Sequence, residues 1–203
     1  MNLKSIAVAL LAAAALAGTF AANASAVTWK FNGSPLVGTE AVLSRAGESG
    51  FTIPGLTTTC KPFVYVVSAS NPMGIAAASV TEAPLSNCFT NSKSCTVESI
   101  AAETLPWAGK VTTVAGSVYL IIQGFRVSIL YGGEECVLGG TAVTITGTAG
   151  GLVNNTTESV TFNSSSFAAT KTELKALGSK IEWNGVFTMI PTGAHIGQSV
   201  SIS

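Results

Sequence analysis

Apolar and polar positions alternate with a period of two along most of the chain, and glycine, proline or asparagine interrupts the pattern every few residues. Phe125, Val127, Ile129 and Tyr131 fall on one side of a segment whose other side begins with Arg126 and Ser128. That alternation predicts a strand buried on one face. Residues 118–122 (Val-Tyr-Leu-Ile-Ile) precede it, and Gly124 divides the apolar stretch 117–131 in two. Ala115-Gly116 suits a two-residue hairpin turn between residues 111–114 and that stretch. Residues 141–146 alternate cleanly, with Val143 and Ile145 on one face, between Gly139-Gly140 and Gly150-Gly151. Residues 57–68 are rich in β-branched and aromatic types, and Asn71-Pro72-Met73-Gly74 turns them back into residues 75–80. Further strands are predicted over 159–162, 181–190 and 196–202. In the second of these Ile181, Trp183, Phe187 and Met189 share a side, and Gly185 marks a bulge. Residues 171–177 (Lys-Thr-Glu-Leu-Lys-Ala-Leu), stopped by Gly178, predict one or two helical turns.

Many short strands without crossover helices predict an all-β fold with at most one short helix. The expected arrangement is an antiparallel β-sandwich, with a β-barrel as the alternative. The N-terminus has a different pattern. Lys4 precedes an apolar run over residues 6–17, and Ala24-Ser25-Ala26 supplies small residues for cleavage. Residues 1–26 therefore read as a secretory signal peptide. The run falls short of the roughly 20 apolar residues of a spanning helix. Removal of 26 residues from 203 leaves 177, a single secreted β domain over 27–203 with no transmembrane segment. The expected location is extracellular or at the cell surface.

Secretion changes the meaning of the four cysteines, Cys60, Cys88, Cys95 and Cys136. They predict two disulfides rather than a metal site. Loop closure gives about 7.5 kcal/mol for Cys60–Cys88 with Cys95–Cys136, and about 7 kcal/mol for Cys88–Cys95 with Cys60–Cys136. The second pairing is preferred because residues 89–94 (Phe-Thr-Asn-Ser-Lys-Ser) read as a polar loop whose ends Cys88 and Cys95 could clasp. No CxxC occurs and the lone His195 is remote, so neither metal nor cofactor is expected.

Charged residues are 10% of the chain, against a usual ~25%. Once Lys4 has left with the leader, 9 basic residues face 10 acidic ones. They are scattered singly, which speaks against nucleic acid as a partner. Every acidic residue is Glu, so Asp-rich calcium loops are excluded. A hydrolase would draw on Glu98, Glu103 or His195, His195 being the one ordinary general base near neutrality. Glu134 and Glu135 are adjacent in a turn after Gly132-Gly133 and would point apart. Trp29, Trp107, Trp183, Tyr65, Tyr119 and Tyr131 could supply a platform for sugar rings. Trp107, following Pro106, is the candidate for exposure. Asn32, Asn154, Asn155 and Asn163 stand in glycosylation acceptor patterns, which predicts exposed segments there.

Residues 55–60 (Gly-Leu-Thr-Thr-Thr-Cys), the close pair Cys88 and Cys95, Leu105-Pro106-Trp107 with Gly109, and residues 136–141 (Cys-Val-Leu-Gly-Gly-Thr) followed by Gly147 resemble a group of uncharacterised secreted proteins of soil actinobacteria. The resemblance covers most of residues 51–165. It implies a disulfide-bonded β domain outside the cytoplasm and carries over no activity or site residue. The expected role is a non-enzymatic structural or interaction protein whose partner is a cell-surface polymer or another protein. A carbohydrate-binding module and a Glu/His hydrolase are the alternatives.

Overall fold

The computed structural model describes residues 26–203; the expected leader, apart from Ala26, lies outside them. The strands are β1 (Trp29–Phe31), β2 (Ser34–Pro35), β3 (Thr39–Ala46), β4 (Ser49–Ile53), β5 (Leu56–Cys60), β6 (Phe63–Ser70), β7 (Ala77–Glu82), β8 (Cys88–Thr90), β9 (Thr96–Ala102), β10 (Trp107–Val114), β11 (Ser117–Gly132), β12 (Ala142–Asn154), β13 (Ser159–Phe162), β14 (Glu173–Ala176), β15 (Ser179–Pro191) and β16 (Val200–Ile202). The one α-helix among the described residues, α1, spans Ser164–Thr170.

Eight strands, β3, β6, β7, β10, β11, β12, β13 and β15, follow one another around a closed ring in chain order. β15 closes it by pairing with β13 on one side and β3 on the other. The chain thus adopts the barrel, not the sandwich that was the first expectation. Closure leaves no exposed edge among these eight strands. The local turns are those the sequence predicts. Ala115 and Gly116 both have positive φ, as a type I′ hairpin demands, and residues 71–74 turn β6 into β7.

Five further strands are insertions into this meander. β4 and β5 lie between β3 and β6, β8 and β9 between β7 and β10, and α1 with β14 between β13 and β15. They gather at one end of the barrel, where three long strands run on and change neighbours. β11 pairs with β10 up to Gln123 and with β9 from Val127. β12 pairs with β14 over Thr146–Thr148 and with β13 from Gly151. β15 pairs with β4 up to Gly185 and with β3 from Thr188. A glycine stands at or beside each changeover. Gly124 marks a register shift against β12, where the bulged strand bends. A Cβ on Gly147 would overlap the Glu173 carbonyl, and one on Gly185 would overlap the Ser49 side chain. The predicted bulge at Gly185 is instead such a close approach.

Both disulfides lie in the inserted layer. Cys60 and Cys88 are direct partners in the β5–β8 ladder, with Cα atoms 4.0 Å apart. Cys95 joins Cys136, in the loop after β11, at a Cα separation of 4.8 Å. This overturns the preferred pairing of Cys88–Cys95 with Cys60–Cys136. Residue 88 begins a strand instead of closing a loop, and its register against β5 fixes Cys60 as its partner.

The opposite end is capped by a three-stranded sheet, β16-β1-β2, built from residues near both ends of the chain. Two asparagines on barrel turns hold it by imitating a neighbouring strand. The Trp29 backbone N–H donates to Asn71 Oδ1 at 2.8 Å, and Asn71 Nδ2 donates to the Trp29 and Leu36 carbonyls at 2.9 and 3.1 Å. Asn155 Nδ2 donates to the Ile202 carbonyl, and the Ile202 N–H returns a bond to Asn155 Oδ1, each at 2.9 Å. Trp29 is fully buried under this cap and its Nε1 donates to the Ala77 carbonyl at 2.8 Å.

Residues 171–177, expected to be helical, contain β14 instead. Leu174 and Ala176 are buried while Glu173 and Lys175 are exposed, so a period of two overrides helix propensity. The helix precedes them. Its cap is reciprocal: the Ser166 N–H donates to Asn163 Oδ1 at 2.8 Å, and the Asn163 N–H donates to Ser166 Oγ at 3.1 Å.

Candidate functional site

Small barrels commonly bind ligands in their mouths. Here one mouth lies under the β16-β1-β2 cap and the other under the inserted layer. The space between is filled by aromatic rings converging on Trp183. Its indole stacks on Phe162 at 4.1 Å between centroids and lies 5.2–5.7 Å from Phe51, Phe63, Phe125 and Phe187. The interior is a packed core.

The aromatic platform is not present. Trp107 is 3% exposed because β10 begins at this residue and turns its ring inward, 4.6 Å from Phe125. Its Nε1 donates to the Glu103 carbonyl at 2.8 Å. The candidate for exposure is therefore a core residue, and Trp29, Trp183, Tyr65, Tyr119 and Tyr131 are buried with it.

Two of the titratable candidates, Glu103 and His195, have local partners. Arg126 Nε lies 2.6 Å from Glu103 Oε2, and His195 Nδ1 lies 3.0 Å from Glu40 Oε2. Glu98 lies over Gly132, and Glu134 and Glu135 are exposed in a turn. No hydrogen bond or ion pair joins Glu98, Glu103 and His195 to one another among the described residues. All four asparagines in acceptor patterns, Asn32, Asn154, Asn155 and Asn163, use their side chains to hold backbone.

Two tyrosines carry perturbed phenols. Burial raises the Tyr65 pKa well beyond the ordinary value. Ser44, directly opposite on β3, offsets this a little but leaves the phenol oxygen without a well-formed hydrogen bond. Burial also raises the Tyr131 pKa, against a 2.7 Å hydrogen bond with Thr58. In both cases the folded state holds the proton more tightly than the unfolded chain, whose phenols titrate near 10. Their contribution is complete below that pH and is lost as pH rises above it. Absorbance at 295 nm is expected to show Tyr65 ionising only together with loss of the far-ultraviolet dichroism. Ionisation in a still-folded protein would contradict its burial.

The outer wall offers a groove. Two clefts, of about 400 and about 280 Å³, share Thr148 and Thr172 and form one channel across β10, β11 and β12. The segment linking α1 to β14 makes its far wall. Local sequence explains the depression. Gly147 and Gly150 supply no side chain where Glu173, Thr170 and Thr172 press in, and Ser166 Oγ anchors the helix by donating to the Gly150 carbonyl at 2.7 Å. Thr112, Thr146, Thr148, Thr170 and Thr172 line the channel with Gln123, Lys110, Lys171 and Lys175. Lys175 lies 2.7 Å from Glu173 and holds that carboxyl below the usual carboxylate range. Sequence reasoning missed this site because its residues come from four segments whose adjacency exists only in the fold.

Comparison with protein-family models, with curated proteins and with solved structures yields no match to this chain. The reading of function rests on the geometry.

Proposed function

We propose that this protein is a secreted, non-enzymatic interaction or structural module of the extracellular space or cell surface. The observation that carries the reading is the disulfide-stapled barrel whose interior is filled by side chains and whose outer wall carries a polar groove. Two disulfides support an oxidising destination. No helix among the described residues is long and apolar enough to cross a membrane. Glu103 and His195 are engaged with separate partners, Arg126 and Glu40, and neither bonds to the other or to Glu98, which favours binding over turnover.

The test is made on protein recovered from the producing cells. It is expected in the medium or on the surface, beginning at Val27, with none of its four thiols reactive. Recovery from the cytosol with residues 1–26 attached and free thiols overturns secretion. Release of reducing ends or acid from glycan or ester substrates, abolished by Glu103→Gln or His195→Gln, overturns the non-enzymatic reading.

A further inference from the structure

The outer groove has a chemistry unlike the rest of the surface. Nine cationic side chains remain once Lys4 is set aside, and three of them, Lys110, Lys171 and Lys175, line this one channel. Of ten glutamates only Glu173 joins them, and it is neutralised by Lys175. Lys110 and Lys171 have no ion-pair partner among the described residues. The hydroxyls of Thr112, Thr146 and Thr148 and the amide of Gln123 likewise make no hydrogen bond there, although the threonines are only partly exposed. The arrangement across the sheet is regular. Gln123 stands opposite Thr148, Thr148 opposite Glu173, and Thr146 opposite Lys175. From β10 to β14 the channel crosses three strand spacings, roughly 14 Å. Amines stand on both walls and a row of neutral donors and acceptors lies between them.

We propose that this groove binds a linear anionic polysaccharide, an inference that rests on the extracellular interaction reading and names its partner. The walls supply ammonium groups for carboxylates carried along a glycan chain. The floor supplies hydroxyl and amide groups for the sugar hydroxyls between them. Stacking is not required, which suits a site with no aromatic residue among its lining. A neutral polymer would leave the lysines unpaired, and a simple polyanion would leave the floor unused. Exposed ion pairs are individually weak and are screened by salt, so affinity comes from several contacts along the chain.

Affinity electrophoresis of the secreted, oxidised protein tests this, with polygalacturonate, dextran and polyphosphate as the three probes. Retention is expected on polygalacturonate, falling as salt is raised, with none on dextran and at most weak retention on polyphosphate. Lys110→Gln with Lys171→Gln is expected to weaken polygalacturonate binding about tenfold. Lys30→Gln with Lys93→Gln, which alters lysines outside the groove, should leave it unchanged. Thr148→Val should weaken polygalacturonate several-fold and leave polyphosphate unaltered. Lack of retention, equal retention on polyphosphate, or equal loss in both lysine pairs overturns the proposal. Those results leave the secretion and thiol measurements untouched, so failure of the groove and failure of the broader reading are separable.

Discussion

Breaking both disulfides is expected to remove about 7.5 kcal/mol of stability. Sequence separations of 28 and 41 residues give loop-closure contributions of about 3.6 and about 3.9 kcal/mol. A domain of this kind has roughly 5–15 kcal/mol in total, so the reduced protein would be marginal. For a chain of this length the loss corresponds to a melting temperature lower by roughly 15–30 °C. The location of the bridges makes the effect regional as well. The eight-stranded ring is closed by its own ladder and contains neither bridge. The inserted layer has a seam, since β8 pairs only with β5 and β9 only with β11. Hydrogen exchange after reduction should therefore release residues 56–60 and 88–102 before the strands of the ring. Calorimetry of Cys60→Ser with Cys88→Ser, of Cys95→Ser with Cys136→Ser, and of all four together checks the magnitudes. A fall below about 5 °C for the fourfold variant would show that the ladders hold the inserted layer without help.

The same contrast between ring and insertions decides what could be read in the sequence. The ring is a meander of neighbours, and neighbours announce themselves: Ala115-Gly116, residues 71–74 and the alternation through residues 125–131 are local signals with local consequences. The strand at 159–162 was legible for the same reason. The partner changes were not, because β9 with β11 and β4 with β15 are pairings between distant segments. Gly150-Gly151 read as a break between strands, but β12 runs through both. Gly150 makes room for the α1–β14 segment, and Gly151 lies against Val160 and Phe162. The helix eluded composition because three serines open it and a capping box carries it. The disulfide preference failed because it treated residues 89–94 as an isolated loop, whereas the β5–β8 register decided the partner. Trp107 failed for a related reason. Pro106 marks the end of a loop there, and the ring after it already belongs to a strand.

Trp183→Ala should be the most damaging single substitution in the core, costing about 3–5 kcal/mol. Trp183 is 1% exposed, and six aromatic rings lie within 6.5 Å of it. Those rings come from β4, β6, β11, β13 and β15, so the indole ties the inserted layer to the closed ring. Truncation removes the transfer free energy of the largest side chain and leaves a cavity bounded by strands already fixed by hydrogen bonding on both sides. Such walls cannot collapse inward, which places the cost toward the upper end of the range. The polar handle contributes less. Trp183 Nε1 donates to Ser49 Oγ at 2.9 Å, and Ser49 Oγ donates onward to the Asn184 carbonyl at 2.8 Å. Trp183→Phe keeps a ring in place and leaves Ser49 with its other partner, so its hydrogen-bond cost is about 1 kcal/mol. Guanidinium unfolding of the oxidised variants, followed by far-ultraviolet dichroism, separates the two contributions. A loss in Trp183→Ala no larger than in Trp183→Phe would mean that the surrounding phenylalanines close the gap. The joint between ring and insertions would then lie in the backbone of β11, β12 and β15 and not in the aromatic cluster.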